Sequence, residues 1–240
     1  MASTTRLRLF PLSNTVLFPG AVLNLHVFEP RYRQMIAECL EADEAFGVVL
    51  IREGDEAGDP NAVPHDVGTT AEICDVTRLP AGRYYITTTG RRRFRIRDVV
   101  AREPYLLANV EYLDERTTQN AALARLHDEV CDEFREYLRL LVEFSGTPAD
   151  VDVPADPVDV SYLIGDALQV ADEMKQRLLE LSDTSERLEA ELAYLRRSLP
   201  QLRLLLEKKA SQAPVQRDDA PGGAFRTHQE QFFGKHFSLN

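Results

Sequence analysis

Apolar residues along the first half of the chain fall mostly in short runs that alternate with polar ones. In the second half they recur every three or four positions. Leu23, Leu25 and Val27 alternate with Asn24, His26 and Phe28, the period of a half-buried strand. Comparable strand-like runs, several of them β-branched and aromatic, occupy 7–12, 21–28, 46–52, 68–79, 83–89, 93–100 and 105–113. Gly, Pro or Asp separates several of them. One helical period interrupts the series. Tyr32, Met35, Ile36, Cys39 and Leu40 predict a helix over 30–44, with Pro30 suited to its first turn. Phe18-Pro19-Gly20 predicts a turn, Gly20 and Gly90 turn or bulge positions, and the polar stretch 53–66 a surface loop.

From Thr118 the period is helical. Leu123, Leu126, Val130, Phe134, Tyr137 and Leu141 form one stripe of a helix over 119–144. A proline-containing linker follows at 145–157, and Asp156-Pro157 reads as an N-cap with proline at the first helical position. The helical pattern then runs to about residue 209. Leu178, Leu181, Leu188, Leu192, Leu195, Leu199, Leu202 and Leu206 keep a heptad register that would suit a coiled-coil dimer. Pro200 and the capping triplet Ser182-Asp183-Thr184 favour instead a bundle of short antiparallel helices joined near 182–184 and 198–200. The expected architecture is therefore α+β. A β-rich domain with one helix spans 6–115, a helical bundle spans 118–209, and a mostly disordered tail spans 210–240. Phe225, Phe232, Phe233 and Phe237 in that tail are suited to docking on the body or on a partner.

Composition narrows the function. The 240-residue chain carries a formal net charge of −11, which argues against general affinity for nucleic acid or anionic membranes. Cys39, Cys74 and Cys131 are too few and too scattered for a zinc site, and they read as buried, reduced thiols of a cytoplasmic protein. The first residues lack the apolar core of a signal peptide, and no run is long enough to span a membrane. No phosphate-binding GxxxxGK[ST], no GxGxxG after a strand, no GxSxG elbow and no HExxH occurs. Ser161 and Ser182 beside Lys175 lack the context of a Ser-Lys dyad. The acidic run around His127 reads as a solvated helix face. No catalytic, cofactor-binding or metal-binding residue is assigned.

Two groups remain as candidate binding residues. In the Glu29–Arg33 corner, Arg31 and Arg33 are suited to carbonyls or acidic side chains of an extended polypeptide, and Phe28 and Tyr32 to apolar contact. The favoured alternative is structural, with Glu29 and Arg31 as a buried strand-to-helix clamp and Tyr32 in the core. Arg93, Arg95 and Arg97 alternate with Phe94 and Ile96, placing one face in the core and the other in solvent, and Arg91 lies just before them. With Tyr84 and Tyr85 nearby they can form an RNA-binding stripe, or they can pair with the chain's excess carboxylates. A third reading is a small-molecule site in a barrel pocket.

Six blocks occur in the order typical of the substrate-binding domain of Lon proteases: FPLSNTVLFPG at 10–20, EPRY at 29–32, FGVVL at 46–50, GTTAEI at 68–73, GRRRFRI at 90–96 and PYLLANVE at 104–111. The helical stretches SYLIGDALQVADEMKQRLLEL and SERLEAELAYL resemble that family too. The resemblance covers about residues 6–207 and includes stand-alone bacterial relatives. It implies a PUA-like pseudo-β-barrel followed by a helical bundle. It also implies polypeptide recognition without the ATPase and protease modules of the full-length enzymes. The implied partners are unfolded or tagged polypeptides, with a separate protease or chaperone. A cytoplasmic monomer or weak dimer without cofactors is expected.

Overall fold

A computed structural model describes residues 4–54, 62–146 and 151–212. The tail beyond Gln212, with its four phenylalanines, lies outside the described residues, as do parts of the 53–66 loop and of the 145–157 linker. The element order is β1 (Thr5–Leu12), β2 (Val22–Val27), α1 (Pro30–Ala42), β3 (Phe46–Glu53), β4 (Val63–Pro64), β5 (Val67–Leu79), β6 (Arg83–Ala101), β7 (Leu106–Tyr112), α2 (Ala121–Ser145), α3 (Pro157–Ala167), α4 (Asp172–Glu180) and α5 (Thr184–Gln212).

Five strands close on themselves. β1 runs antiparallel to β7, β7 to β6, β6 to β5 and β5 to β3, and β3 returns to β1 in parallel. β3 closes this ring, and its apolar run FGVVLI is buried on both faces, as a strand covered on both sides must be. β6 keeps β5 on one flank and changes partner on the other, with β2 from Tyr84 to Thr89 and β7 from Phe94 onward.

The two strands expected at 83–89 and 93–100 are one. Gly90 does not break the strand; it lies at a register shift in the pairing with β5, in keeping with the expected bulge position, and it admits the 13–21 loop. Gly20 N–H donates to Gly90 O at 2.8 Å and Gly90 N–H to Ala21 O at 2.9 Å, and a Cβ on Gly90 would lie 2.1 Å from Phe18 O. The 53–66 stretch also contains a short strand, β4, whose Val63 and Pro64 lie across from Glu53 and Ile51 of β3.

One core layer joins α1 to the sheet through Phe10, Val27, Tyr32, Met35, Ile36 and Phe46. The largest core cluster lies between sheet and helices, where Val16, Phe18, Leu50 and Val67 meet α2–α5. Gly165 on α3 is the close approach there, since a Cβ would sit 2.7 Å from the Phe18 ring. Asp156 caps α3, its carboxylate accepting from the N–H groups of Val158 and Asp159. Asp183 does the same for Ser185 and Glu186 at the start of α5.

α5 then continues through Pro200, contrary to the break expected at 198–200. Tertiary contacts hold it on both sides of the proline: Arg196 pairs with Glu129 and Glu133, Arg203 with Glu136, and Lys209 Nζ donates to Phe144 O at 2.6 Å. These contacts advance in step along both helices, so α2 and α5 run in the same direction instead of antiparallel. The heptad leucines Leu188, Leu192, Leu195 and Leu199 are buried in this intramolecular core, which leaves them unavailable as a dimer seam.

Candidate functional site

β2 is amphipathic in the way its alternation predicts. Leu23 and Val27 are buried, whereas Val22, Asn24, His26 and the following Phe28 face solvent. Large apolar groups therefore stand on the outer face of the sheet, with Val22 60%, Phe28 57% and Tyr85 53% exposed. Tyr85 lies across from His26 in the β2–β6 register. The two rings stack at 4.6 Å between centroids, and the His26 and Phe28 rings are 5.5 Å apart. Beside them Thr87 Oγ1 donates to Asn24 Oδ1 at 2.8 Å. Apolar area of this kind, edged by polar side chains, is what a binding surface presents.

The Glu29–Arg33 corner divides between surface and core. Phe28 belongs to the exposed row. Arg31 Nε donates to Glu29 Oε2 at 3.0 Å, and its guanidinium lies 4.4 Å from the Tyr32 ring centre. Tyr32 is buried and stacks on Phe10 at 4.0 Å, so it packs the core and offers no outward contact. Arg33 reaches the Pro80–Gly82 turn, with its Nε buried.

Four arginines of the row are engaged within the protein. Arg91 pairs with Glu72, Arg97 with Glu111, and Arg92 lies over the Tyr112 ring at 4.2 Å. Arg93 was expected on a solvent face, but its side chain is fully buried because the helical half covers that face of β6. Its guanidinium donates to Leu179 O at 2.6 Å and Leu181 O at 2.7 Å and pairs with Glu115. Arg187, equally buried, donates to Glu115 Oε2 at 2.9 Å, Leu181 O at 2.6 Å and Ser161 Oγ at 2.8 Å. The Tyr162 hydroxyl completes the knot on Glu115, and burial raises its pKa. The arginines that bear on this junction thus tie sheet to helices.

The side chains considered for catalysis have other partners. Ser161 serves Arg187, while Lys175 Nζ donates to Asp166 O at 2.5 Å and is held below the usual lysine range by burial. Among the described residues no cluster of His, Cys, Asp and Glu is arranged to hold a metal ion, and no helix is long and apolar enough to cross a membrane. Cys39 and Cys131 are buried as expected, but Cys74 is exposed on β5. The sequence did not lead to Val22 and His26 as binding residues, and Tyr85 was grouped with RNA. The signal lay in β2 itself, whose polar-phase positions carry Val22 and Phe28.

The five-strand ring, its single covering helix and the appended helices define a mixed α+β module of the kind found at the N-terminus of Lon proteases. The family described as the ATP-dependent protease La (LON) substrate-binding domain matches residues 6–197, and the chain belongs to this family. It is 30% identical over 201 residues to Lon protease 2 of Myxococcus xanthus, covering 82% of this chain and 24% of that protein. It is 33% identical over 211 residues to Lon protease 1 of Thermus thermophilus, covering 85% and 26%. The chain thus spans about a quarter of the length of these relatives. Among solved structures, a Lon N-terminal domain protein from Xanthomonas campestris superposes with a TM-score of 0.54 at 28% identity, covering 79% of this chain and 98% of that one. The N-terminal domain of a Mycobacterium avium complex Lon protease superposes with a TM-score of 0.60 at 20% identity, covering 80% and 98%, a likeness of fold.

Proposed function

We propose that this chain is a polypeptide-recognition module that binds unfolded or tagged segments on the outer face of β2 and β6 and alters no covalent bond. The observation that carries the reading is the exposed row Val22, His26, Phe28 and Tyr85 on the outer face of the sheet. Membership of a substrate-binding family supports the same role. Arg31, paired with Glu29, stands at the rim of this row. The module presents its clients to a separate protease or chaperone in the cytosol.

Fluorescence anisotropy with labelled, carboxymethylated casein tests this directly. Wild-type protein binds without ATP. The Phe28→Ala/Tyr85→Ala variant binds about tenfold or more weakly, as expected for loss of two aromatic anchors. Both positions are exposed, so the fold is retained. Equal binding by the variant, or none by the wild type, overturns the proposal. Retention of poly(U) with a steep salt dependence would instead point to RNA.

A further inference from the structure

β2 has a second feature beyond its exposed side chains. Among the described residues it pairs with β6 alone, so its other flank is an open sheet edge. The phase of the pairing says which groups lie on that edge. Gly90 N–H donates to Ala21 O, and the register from Val22↔Thr89 to Val27↔Tyr84 carries no shift. In an antiparallel ladder this turns the N–H and C=O of Leu23, Leu25 and Val27 toward β6 and those of Val22, Asn24 and His26 away from it. The residues whose main chain faces the edge are thus the residues whose side chains are exposed.

Proteins guard such edges with proline, charge, bulges or very short strands. β2, VLNLHV, has no proline, no Asp, Glu, Lys or Arg, and no bulge over six residues. The charge setting fits an incoming chain as well. Neither residues 22–28 nor the facing 83–89 contain a carboxylate, in a protein with 39 Asp and Glu, and the Glu29 that follows the strip is paired with Arg31.

We infer that an extended segment of a client polypeptide adds to β2 as a further strand, with its main chain on Val22, Asn24 and His26 and alternate side chains on the row that ends at Phe28 and Tyr85. This rests on the polypeptide-binding reading and specifies its mode. Main-chain pairing explains how one surface accepts many sequences, because every residue except proline carries the same donor and acceptor. A second copy of this chain is the competing occupant, and the test below tells the two apart.

The test uses a fluorescein-labelled ten-residue peptide alternating Phe with Ser, and two versions N-methylated on either the Phe or the Ser residues. Successive residues of a strand point their N–H groups to opposite edges. One methylated series is therefore expected to bind about tenfold more weakly than the parent and the other to bind as the parent does. His26→Pro removes an outward N–H without touching the β6 ladder, a position where an edge strand tolerates proline. It is expected to weaken binding beyond His26→Ala at an unchanged melting temperature. Equal binding by all three peptides overturns strand addition but leaves side-chain docking intact. Failure of even the parent peptide and casein to bind overturns polypeptide recognition itself. Concentration-dependent dimerisation abolished by His26→Pro would give the edge to a second copy, against the inference.

Discussion

Replacing Glu115 by glutamine tests whether the junction between sheet and helices is held by charge. Glu115 touches both Arg93 and Arg187, whose side chains are fully buried, while its own is 24% exposed. Removing one partner of a buried ion pair costs about 3–5 kcal/mol, because the remaining charge is left desolvated without compensation. Two features soften that here. The partial exposure of Glu115 lets water screen the site, and the glutamine oxygen still accepts a hydrogen bond. The expected loss is therefore about 2–3 kcal/mol. For a chain of this size that is a fall of roughly 4–12 °C in melting temperature. Urea unfolding followed by far-UV circular dichroism, with calorimetry alongside, reads it out. Glu111→Gln is the matched control: its partner Arg97 is about half exposed, so the change should stay within about 1 kcal/mol. If the two variants are equally stable, the buried knot does not hold the two halves together and the reasoning fails.

Other outcomes follow from single contacts. Gly90→Ala forces a Cβ against Phe18 O and should cost about 1–3 kcal/mol in urea unfolding, with the loop before β2 displaced. The Glu191 carboxyl is fully buried on α5 with neither oxygen hydrogen-bonded, and burial lifts its pKa well above the carboxylate range. The folded protein keeps a proton that the unfolded chain releases above about pH 4.3. Its contribution to stability therefore falls as pH rises, by about 1.4 kcal/mol per unit until the buried group ionises. Glu191→Gln should remove that slope, so its urea midpoint gains on the wild type between about pH 5 and 7; parallel profiles would contradict this. Of the three thiols, Cys74 should react rapidly with a disulfide reagent in the native state. Cys39, pushed up to about 11 by burial, and buried Cys131 should react only on unfolding.

Much of this molecule could be read from local pattern. The alternation in 22–28 specified a half-buried strand, the spacing of Tyr32, Met35, Ile36 and Cys39 specified the buried face of α1, and Asp156-Pro157 and Asp183 marked helix starts that the capping hydrogen bonds match. These succeed because strand and helix periods and N-caps are properties of a few neighbouring residues. The ordered blocks from Phe10 to Glu111 also led to the family. What failed depended on partners distant in sequence. Gly90 looked like a strand break because its role is to make room for Phe18 O, some seventy positions away. Pro200 looked like a helix stop, yet α2 holds α5 on both sides of it. Arg93 followed the solvent phase of its strand, but the helical half covers that face, so its charge is spent on Glu115 and two carbonyls. Likewise only the pairing of β2 with β6 brings Tyr85 beside His26 and leaves the other edge of β2 without a strand partner among the described residues. Periodicity assigns each side chain a face of its own element; whether that face meets water, a helix or a neighbouring strand is decided only when the chain packs.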